Sequence, residues 1–205
     1  MNEHPITDFS NTEAGTKAIY DFRGSGGWPI YAEYSSKLQL QLLQLELNQL
    51  KEPILDLGCG EHYHLIKYLA GQGADVLGLD INTQAAENVM ATNWFHFSYR
   101  PQFWGTIISH MAFSNQFIHN HLRIDGQPVQ FAYCYRQILD SLKIGGSFIY
   151  TPGLPFIEQF LSPADFEIKV LPITPGYGLS RRVAWRLQEK LGDSVFYTTY
   201  IKRLR

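Results

Sequence analysis

One acidic residue and two glycines at alternate positions, Asp56, Gly58 and Gly60, form the stretch of this sequence best suited to chemistry. A second acidic residue, Asp80, follows further along the chain. Glycine lets the backbone adopt conformations closed to other residues and come close to a ligand. A carboxylate at the end of the next strand can accept hydrogen bonds from ribose hydroxyls. This spacing therefore indicates a site for a nucleotide-like ligand.

The elements around these residues form a strand, a glycine turn, a helix and a second strand. The apolar run Ile54–Leu57 is typical of a strand buried on both faces. Apolar residues then recur at helical spacing over residues 65–69, and Gly71 and Gly73 end that helix. Residues 74–79 read as the second strand, which ends at Asp80. In an open parallel sheet, such a unit binds its ligand in the crevice beyond the carboxyl ends of the strands.

Two nucleotide-binding families share this plan. A dinucleotide fingerprint requires a third glycine, and Tyr63 stands in its place. The segment instead resembles motif I of class I S-adenosylmethionine-dependent methyltransferases, whose acid-x-Gly-x-Gly is matched by Asp56, Gly58 and Gly60. A glycine turn that binds no ligand is the remaining alternative.

The resemblance implies S-adenosylmethionine as cofactor and S-adenosylhomocysteine as product. In that family the turn approaches the methionine part and the acid at Asp80 binds the ribose. Family members often carry an acid after the third strand, but no Asp or Glu occurs between Glu87 and Asp125. That contact is then either missing or replaced by Asn93 or by a backbone group. The cofactor-binding residues expected from the resemblance are Asp56, Gly58, Cys59, Gly60, Asp80, Ile81, Asn93 and Tyr20.

The acceptor side is expected where the fourth strand ends. Residues 104–110 resemble that strand, whose carboxyl end faces the transferring methyl group in the family. His110 is the candidate catalytic residue, because histidine removes protons near neutral pH. His62, which stands where the family usually has another glycine, is a candidate substrate-binding residue together with Trp28 and Met111. The glycine-rich segment 17–30 is predicted to act as a lid that becomes protected when the cofactor binds, and the alternative is a fixed arm packed on the sheet edge.

Leucine periodicity predicts the helix at 31–50, and residues 142–150 are similar to the family's Leu-Lys-Pro-Gly-Gly turn into strand five. The elements after residue 150 are fitted to the family's topology alone. We expect helices at 31–50, 84–90, 131–142 and 179–191, and strands inside 93–98, at 142–150, 166–173 and 194–202. The resemblance implies an α/β fold with a Rossmann-like, seven-stranded, mostly parallel sheet and helices on both faces. We expect a single domain over residues 1–205, with an N-terminal arm (1–30) and an α/β core (31–205).

Composition limits the function classes. A net charge of −2 gives no general affinity for nucleic acid, although residues 181–205 hold seven Arg and Lys against Glu189 and Asp193. Cys59 and Cys134 are far apart in sequence and suggest reduced thiols. No run of about 18 apolar residues exists. We therefore expect a cytoplasmic protein without a membrane segment, a monomer or homodimer, with a small-molecule partner and no metal centre.

The sequence favours a methyltransferase acting on a small-molecule hydroxyl or amine. A catalytically silent relative that serves as a binding or scaffold module is the alternative. A nucleic-acid methyltransferase is a second alternative, which rests on the basic C-terminal segment. No Asn/Asp-Pro-Pro-Tyr/Phe tetrad follows the fourth strand, where Ser109-His110-Met111-Ala112 stands instead.

Overall fold

A computed structural model describes residues 36–114, 128–151, 153, 158, 161–172 and 197–205. The described elements are α1 (Ser36–Leu43), β1 (Ile54–Leu57), α2 (His64–Gly71), β2 (Val76–Asp80), β3 (Val89–Ala91), β4 (Trp104–His110), α3 (Pro128–Ser141), β5 (Leu142–Thr151), β6 (Phe166–Pro172) and β7 (Tyr197–Arg203). Single 3-10 turns lie at Leu47–Gln49 and Trp94–His96. The segment 17–30 and the predicted helix 179–191 lie outside the described residues.

All seven strands form one sheet in the order β3-β2-β1-β4-β5-β7-β6. The pairs from β3 to β5 are parallel, whereas β7 is antiparallel to both β5 and β6. The predicted mostly parallel, seven-stranded sheet is thus confirmed. The chain leaves β1 for β2 on one side, and β4 lies on the other. The carboxyl ends of β1 and β4 therefore flank the crevice at which open α/β sheets bind ligands.

Helices cover both faces of the sheet, because each central strand has buried apolar residues on both sides. On one face, Ile138 and Leu139 of α3 pack in the same buried cluster as Ile107 and Phe148. On the other face, α1 and α2 pack over the strands. The buried residues of that second cluster include Leu40, Leu43, Leu65, Ile66 and Leu69 with Ile54, Ile108 and Ile149. The three-layer arrangement is therefore confirmed.

The first helix ends earlier than its leucine pattern predicts. It ends at Leu43, and Gln44 adopts a left-handed backbone with φ of 53°. Hydroxyl groups of β7 satisfy its last carbonyls: Thr198 Oγ1 donates to Leu42 O at 2.6 Å, and Tyr200 OH donates to Leu43 O at 2.7 Å. A helix end needs such partners for its free carbonyls. The prediction that this helix runs to residue 50 was wrong, because a distant strand ends it.

The third strand and the helix before it were also predicted wrongly. No helix lies between β2 and β3, and Ala86 instead forms an antiparallel bridge with Val89. β3 pairs with Gly78–Asp80 over only three residues. The expected strand at 93–98 is replaced by the 3-10 turn, whose Trp94 is buried in the core. The bulky indole fills space beside the sheet, so this apolar stretch packs on the sheet and does not extend it.

The other described elements follow the sequence closely. The glycine-terminated helix, the strand ending at Asp80 and the strand 104–110 are confirmed. The helix before β5 and the strands β5, β6 and β7 also appear where they were predicted, to within a few residues.

Candidate cofactor site

The glycine turn after β1 has the backbone geometry that its glycines predict. Gly58 and Gly60 have positive φ angles of 81° and 84°, a region that other residues rarely adopt. The N–H groups of Gly58 and Cys59 both donate to Leu79 O, at 2.7 and 3.2 Å. The turn is therefore held against the carboxyl end of β2.

Position 58 also needs a glycine because a residue on the other side of the crevice lies very close to it. A Cβ added at Gly58 would lie 2.0 Å from Ala112 Cβ, whereas the Ala112 Cα would be 3.5 Å away. Ala112 follows β4, so the segment after β4 packs directly on the turn. The turn thus lies where β1 and β4 separate.

Asp80 faces the turn from the end of β2. Its Oδ2 accepts a hydrogen bond from the Gly60 N–H at 2.9 Å, and its Oδ1 accepts one from the Asn82 N–H at 2.8 Å. Each carboxylate oxygen can accept a further hydrogen bond. The next residue, Ile81, is 59% exposed and presents apolar surface beside this carboxylate.

Asp56 is the buried member of the motif. It is 1% exposed, and no donor among the described residues reaches its Oδ2. Burial, and next the negative charge of Asp80, raise the pKa of Asp56 to about 8. The carboxyl group is therefore mostly protonated at neutral pH while no cation is near.

His110 ends β4, where its partner in β5 is Thr151. The side chain is partly buried, and burial lowers the pKa of the imidazole to about 4. The ring is consequently neutral at physiological pH. Met111 follows with φ of 72° and donates its N–H to Thr151 O at 2.7 Å, so the chain turns sharply after His110.

The other predicted site residues lie around this crevice to different extents. Cys59 is buried against Gly78, where an added Cβ would lie 2.8 Å from the sulfur. His62 is exposed, and its ring centroid lies 5.9 Å from that of His64. Asn93 follows β3 and is exposed, but its amide oxygen accepts the Phe95 N–H at 3.0 Å and so caps the 3-10 turn. Tyr20 and Trp28 lie outside the described residues.

Sequence reasoning missed one buried carboxylate near the end of β5. Glu158 accepts hydrogen bonds from Tyr150 OH at 2.6 Å, Thr199 Oγ1 at 2.5 Å and Tyr197 OH at 3.4 Å. Burial first, and then the charges of Tyr135 and Glu158, raise the pKa of Tyr150, so its hydroxyl remains a donor. A lone glutamate outside any motif carries no sequence signal for such a cluster.

Within the described part of the chain, no group of three or more His, Cys, Asp or Glu side chains is placed to hold a metal ion. The described helices are also too short or too polar to span a membrane.

No family model matches the sequence, and no curated protein matches it significantly. Solved methyltransferase structures nevertheless share its fold. A candidate S-adenosylmethionine-dependent methyltransferase of Listeria monocytogenes aligns with a TM-score of 0.50 at 15% identity, over 82% of this chain and 97% of its own. The plantazolicin methyltransferase BpumL, solved with S-adenosylhomocysteine and a substrate analogue, aligns with a TM-score of 0.50 at 16% identity, over 98% and 95%.

A phosphoethanolamine N-methyltransferase of Haemonchus contortus aligns with a TM-score of 0.51 at 12% identity, over 98% of this chain and 59% of its own. At identities this low, the structural similarity is evidence for a shared fold alone. It confirms the methyltransferase-like fold that motif I predicts.

Proposed function

We propose that this protein is an S-adenosylmethionine-dependent methyltransferase that acts on a hydroxyl or amine of a small molecule. One observation carries the proposal: the Asp56-x-Gly58-x-Gly60 turn is joined to Asp80 by the hydrogen bond from the Gly60 N–H. The ligand-binding acid and the glycine turn of the motif thus face each other across one crevice, as a nucleoside cofactor requires.

The residues of this crevice fit the proposed cofactor. Asp80 retains acceptor capacity for ribose hydroxyls, and exposed Ile81 offers an apolar surface for adenine. The buried Oδ2 of Asp56 has no donor in the described residues and suits the positive charge that the cofactor carries. When bound, S-adenosylmethionine supplies an electrophilic methyl group on its sulfonium.

His110 is the residue proposed to face the acceptor. A neutral imidazole can accept a hydrogen bond from an attacking hydroxyl or amine and orient it. With its pKa near 4, His110 is a weaker base than an ordinary histidine. Its proposed role is therefore mainly to position the acceptor. His62, Met111 and Trp28 are proposed to line the acceptor side.

Calorimetry with S-adenosylmethionine and S-adenosylhomocysteine tests the proposal. We expect both to bind, and Asp80→Ala to weaken binding by about 10- to 100-fold, as loss of hydrogen bonds to a charged group does. Asp75→Ala is the matched control, because Asp75 is exposed and precedes the same strand. Absence of binding at millimolar ligand would refute the proposed activity.

A scaffold function is the second candidate. Two observations favour it: no acid follows β3, and the Asn93 amide oxygen is already used as a cap. A chain that binds neither ligand but remains fully folded would support this candidate.

Three of the seven basic residues of the C-terminal segment lie in the described part of the chain, and each has a partner there. Lys202 pairs with Glu167 at 3.7 Å, and Arg205 pairs with Asp165 at 2.6 Å. Arg203 donates to the backbone oxygens of Asp140 and Leu142. Salt-dependent retention on RNA or DNA would support the nucleic-acid alternative, since phosphate contacts weaken with salt.

A further inference from the structure

β6 (Phe166–Pro172) is the last strand at one edge of the described sheet, and its described partner is β7. Five of its seven residues are exposed and the other two are half-buried. The N–H and C=O groups along the outer side of an edge strand are a template for pairing with another strand. Pro172 has no N–H to donate, so the part of the edge suited to pairing is residues 166–171.

The two faces of β6 carry different kinds of side chain. Phe166 packs against the buried cluster that α3 covers, and alternate residues of a strand share a face. Ile168 and Val170 therefore lie on the same face as Phe166, and they are 37% and 49% exposed. Glu167 and Lys169 lie on the opposite face and are both exposed. The edge thus presents apolar surface on one face and two charges of opposite sign on the other.

We propose that β6 is a homodimer interface, at which it pairs antiparallel with β6 of a second copy of this chain. The two-fold axis passes through the sheet at Ile168, so that Ile168 lies opposite Ile168 of the second copy. Phe166 then lies opposite Val170, which covers the exposed apolar face. Glu167 lies opposite Lys169, and the axis repeats both pairs.

Charge complementarity favours this partner and this register. Moving the axis by one residue in either direction would place Glu167 opposite Glu167 or Lys169 opposite Lys169. Like charges directly opposite each other destabilise a strand pair, whereas opposite charges stabilise it. Charged residues on an edge strand commonly prevent pairing with other chains, but these two attract each other across the axis. The edge is therefore complementary to itself when the axis lies at Ile168.

This interface goes beyond the proposed function and does not depend on it. Strands β4, β5 and β7 lie between β1 and β6 in the sheet. Pairing at β6 consequently leaves the crevice after β1 open in each copy. Dimer formation and cofactor binding can therefore be measured separately.

Sedimentation of the full chain tests the association. We expect a dimer at about 100 μM, a concentration at which an association with a micromolar dissociation constant is nearly complete. Glu167→Lys and Lys169→Glu each place like charges opposite each other at both symmetry-related positions, and each should weaken the dimer about tenfold. The double variant restores opposite charges and should recover the dimer. Glu87→Lys is the matched control, because it makes the same charge change at an exposed residue before β3, at the other edge of the sheet.

Disulfide cross-linking tests the register. Directly opposed residues of antiparallel strands have Cα atoms about 4.5–5.5 Å apart, which is within the reach of a disulfide. Ile168→Cys should therefore form an intermolecular disulfide on mild oxidation. Val170→Cys is the matched control on the same face, because in this register it lies about 14 Å along the strand from its own copy. The native thiols, Cys59 and Cys134, are both buried and should contribute little cross-linking.

Each outcome decides the inference. A monomer at the same concentration would overturn it and would leave this edge to a partner of another kind. A dimer that Val170→Cys cross-links as readily as Ile168→Cys would also overturn it, because the copies would then meet in another register or at another surface. A folded double variant that remains as weakly associated as the single variants would count against it in the same way. Failure to bind S-adenosylhomocysteine would refute the proposed function and leave this inference unchanged.

Discussion

Asp56 and His110 lie at the same edge of the sheet, and burial moves both towards their neutral forms. The sequence indicates His110 as a base because histidine ordinarily titrates near neutrality. Its position at the end of β4 is confirmed, yet burial lowers its pKa to about 4. Residue types and spacing predict which groups meet at the crevice. Their protonation depends on how deeply neighbouring elements bury them, which spacing does not record.

The protonation of His110 is directly measurable. We expect one of the seven histidines to stay neutral, in NMR spectra of the ring nuclei, until the pH approaches 4. His110→Gln should remove that signal and so assign it. A His110 signal that titrates near pH 6.5 would contradict the burial of this side chain.

The lowered pKa of His110 also makes the free energy of unfolding depend on pH. The unfolded chain binds a proton at His110 below about pH 6.5, whereas the folded chain does so only near pH 4. The stability that neutral His110 contributes is therefore present above pH 6.5 and is lost as the pH falls towards 4, by at most about 1.4 kcal/mol per pH unit. Urea unfolding of His110→Gln should lack this contribution.

Helices and strands with a long apolar period or a terminating glycine were predictable from the sequence. Helices and strands whose ends depend on contacts with distant residues were not. The helix α2 ends at its glycines because the signal is local. The helix α1 ends because Thr198 and Tyr200 donate to its carbonyls, contacts that span 156 and 157 residues. β3 pairs with β2 over only three residues, and no property of its own sequence indicates that limit.

A comparison of Gly58→Ala with Gly73→Ala separates the cost of steric overlap from the cost of backbone strain. Gly58 and Gly73 have similar positive φ angles, 81° and 84°, but a Cβ at Gly73 would meet nothing within 4 Å. We expect Gly73→Ala to cost about 1 kcal/mol, from strain alone. Gly58→Ala should cost at least about 2 kcal/mol more, because its methyl group overlaps Ala112.

Ala112→Gly provides the matching rescue. With that methyl group gone, the nearest atom to the new Cβ would be the Ala112 Cα at 3.5 Å, an ordinary contact. In a double-mutant cycle measured by urea unfolding, Gly58→Ala should therefore cost less in the Ala112→Gly background than in the wild-type chain. The cost of overlap should disappear, and the cost of backbone strain should remain. Strictly additive variants would show that the two residues do not touch.

In the molecule as a whole, the layer arrangement was predictable because the motif resemblance implies a mostly parallel sheet with helices on both faces. The buried hydrogen-bond cluster around Glu158 was not predictable from the sequence. Glu158 joins the segment after β5 to Tyr150 of β5 and to Tyr197 and Thr199 of β7. These partners come from separate parts of the chain, and only the assembled sheet brings them together.

The Glu158 cluster should contribute measurably to global stability. Glu158→Gln replaces one acceptor oxygen with a donor facing hydroxyl groups, and we expect unfolding to become easier by about 1–3 kcal/mol. Glu87→Gln is the control, since Glu87 is exposed and should change stability by less than about 0.5 kcal/mol. Equal effects of the two substitutions would show that the cluster is not stabilising.

β7 follows β6 in the chain but lies between β5 and β6 in the sheet. During synthesis, β5 and β6 therefore cannot become part of one sheet until residues 197–203 have left the ribosome. Until then β5 presents an unpaired edge, which is a template for pairing with other chains. The carbonyls at the end of α1 also lack these donors until Thr198 and Tyr200 have been synthesised, although α1 is synthesised long before them. We therefore expect a chain that ends before residue 197 to aggregate more readily than the full chain.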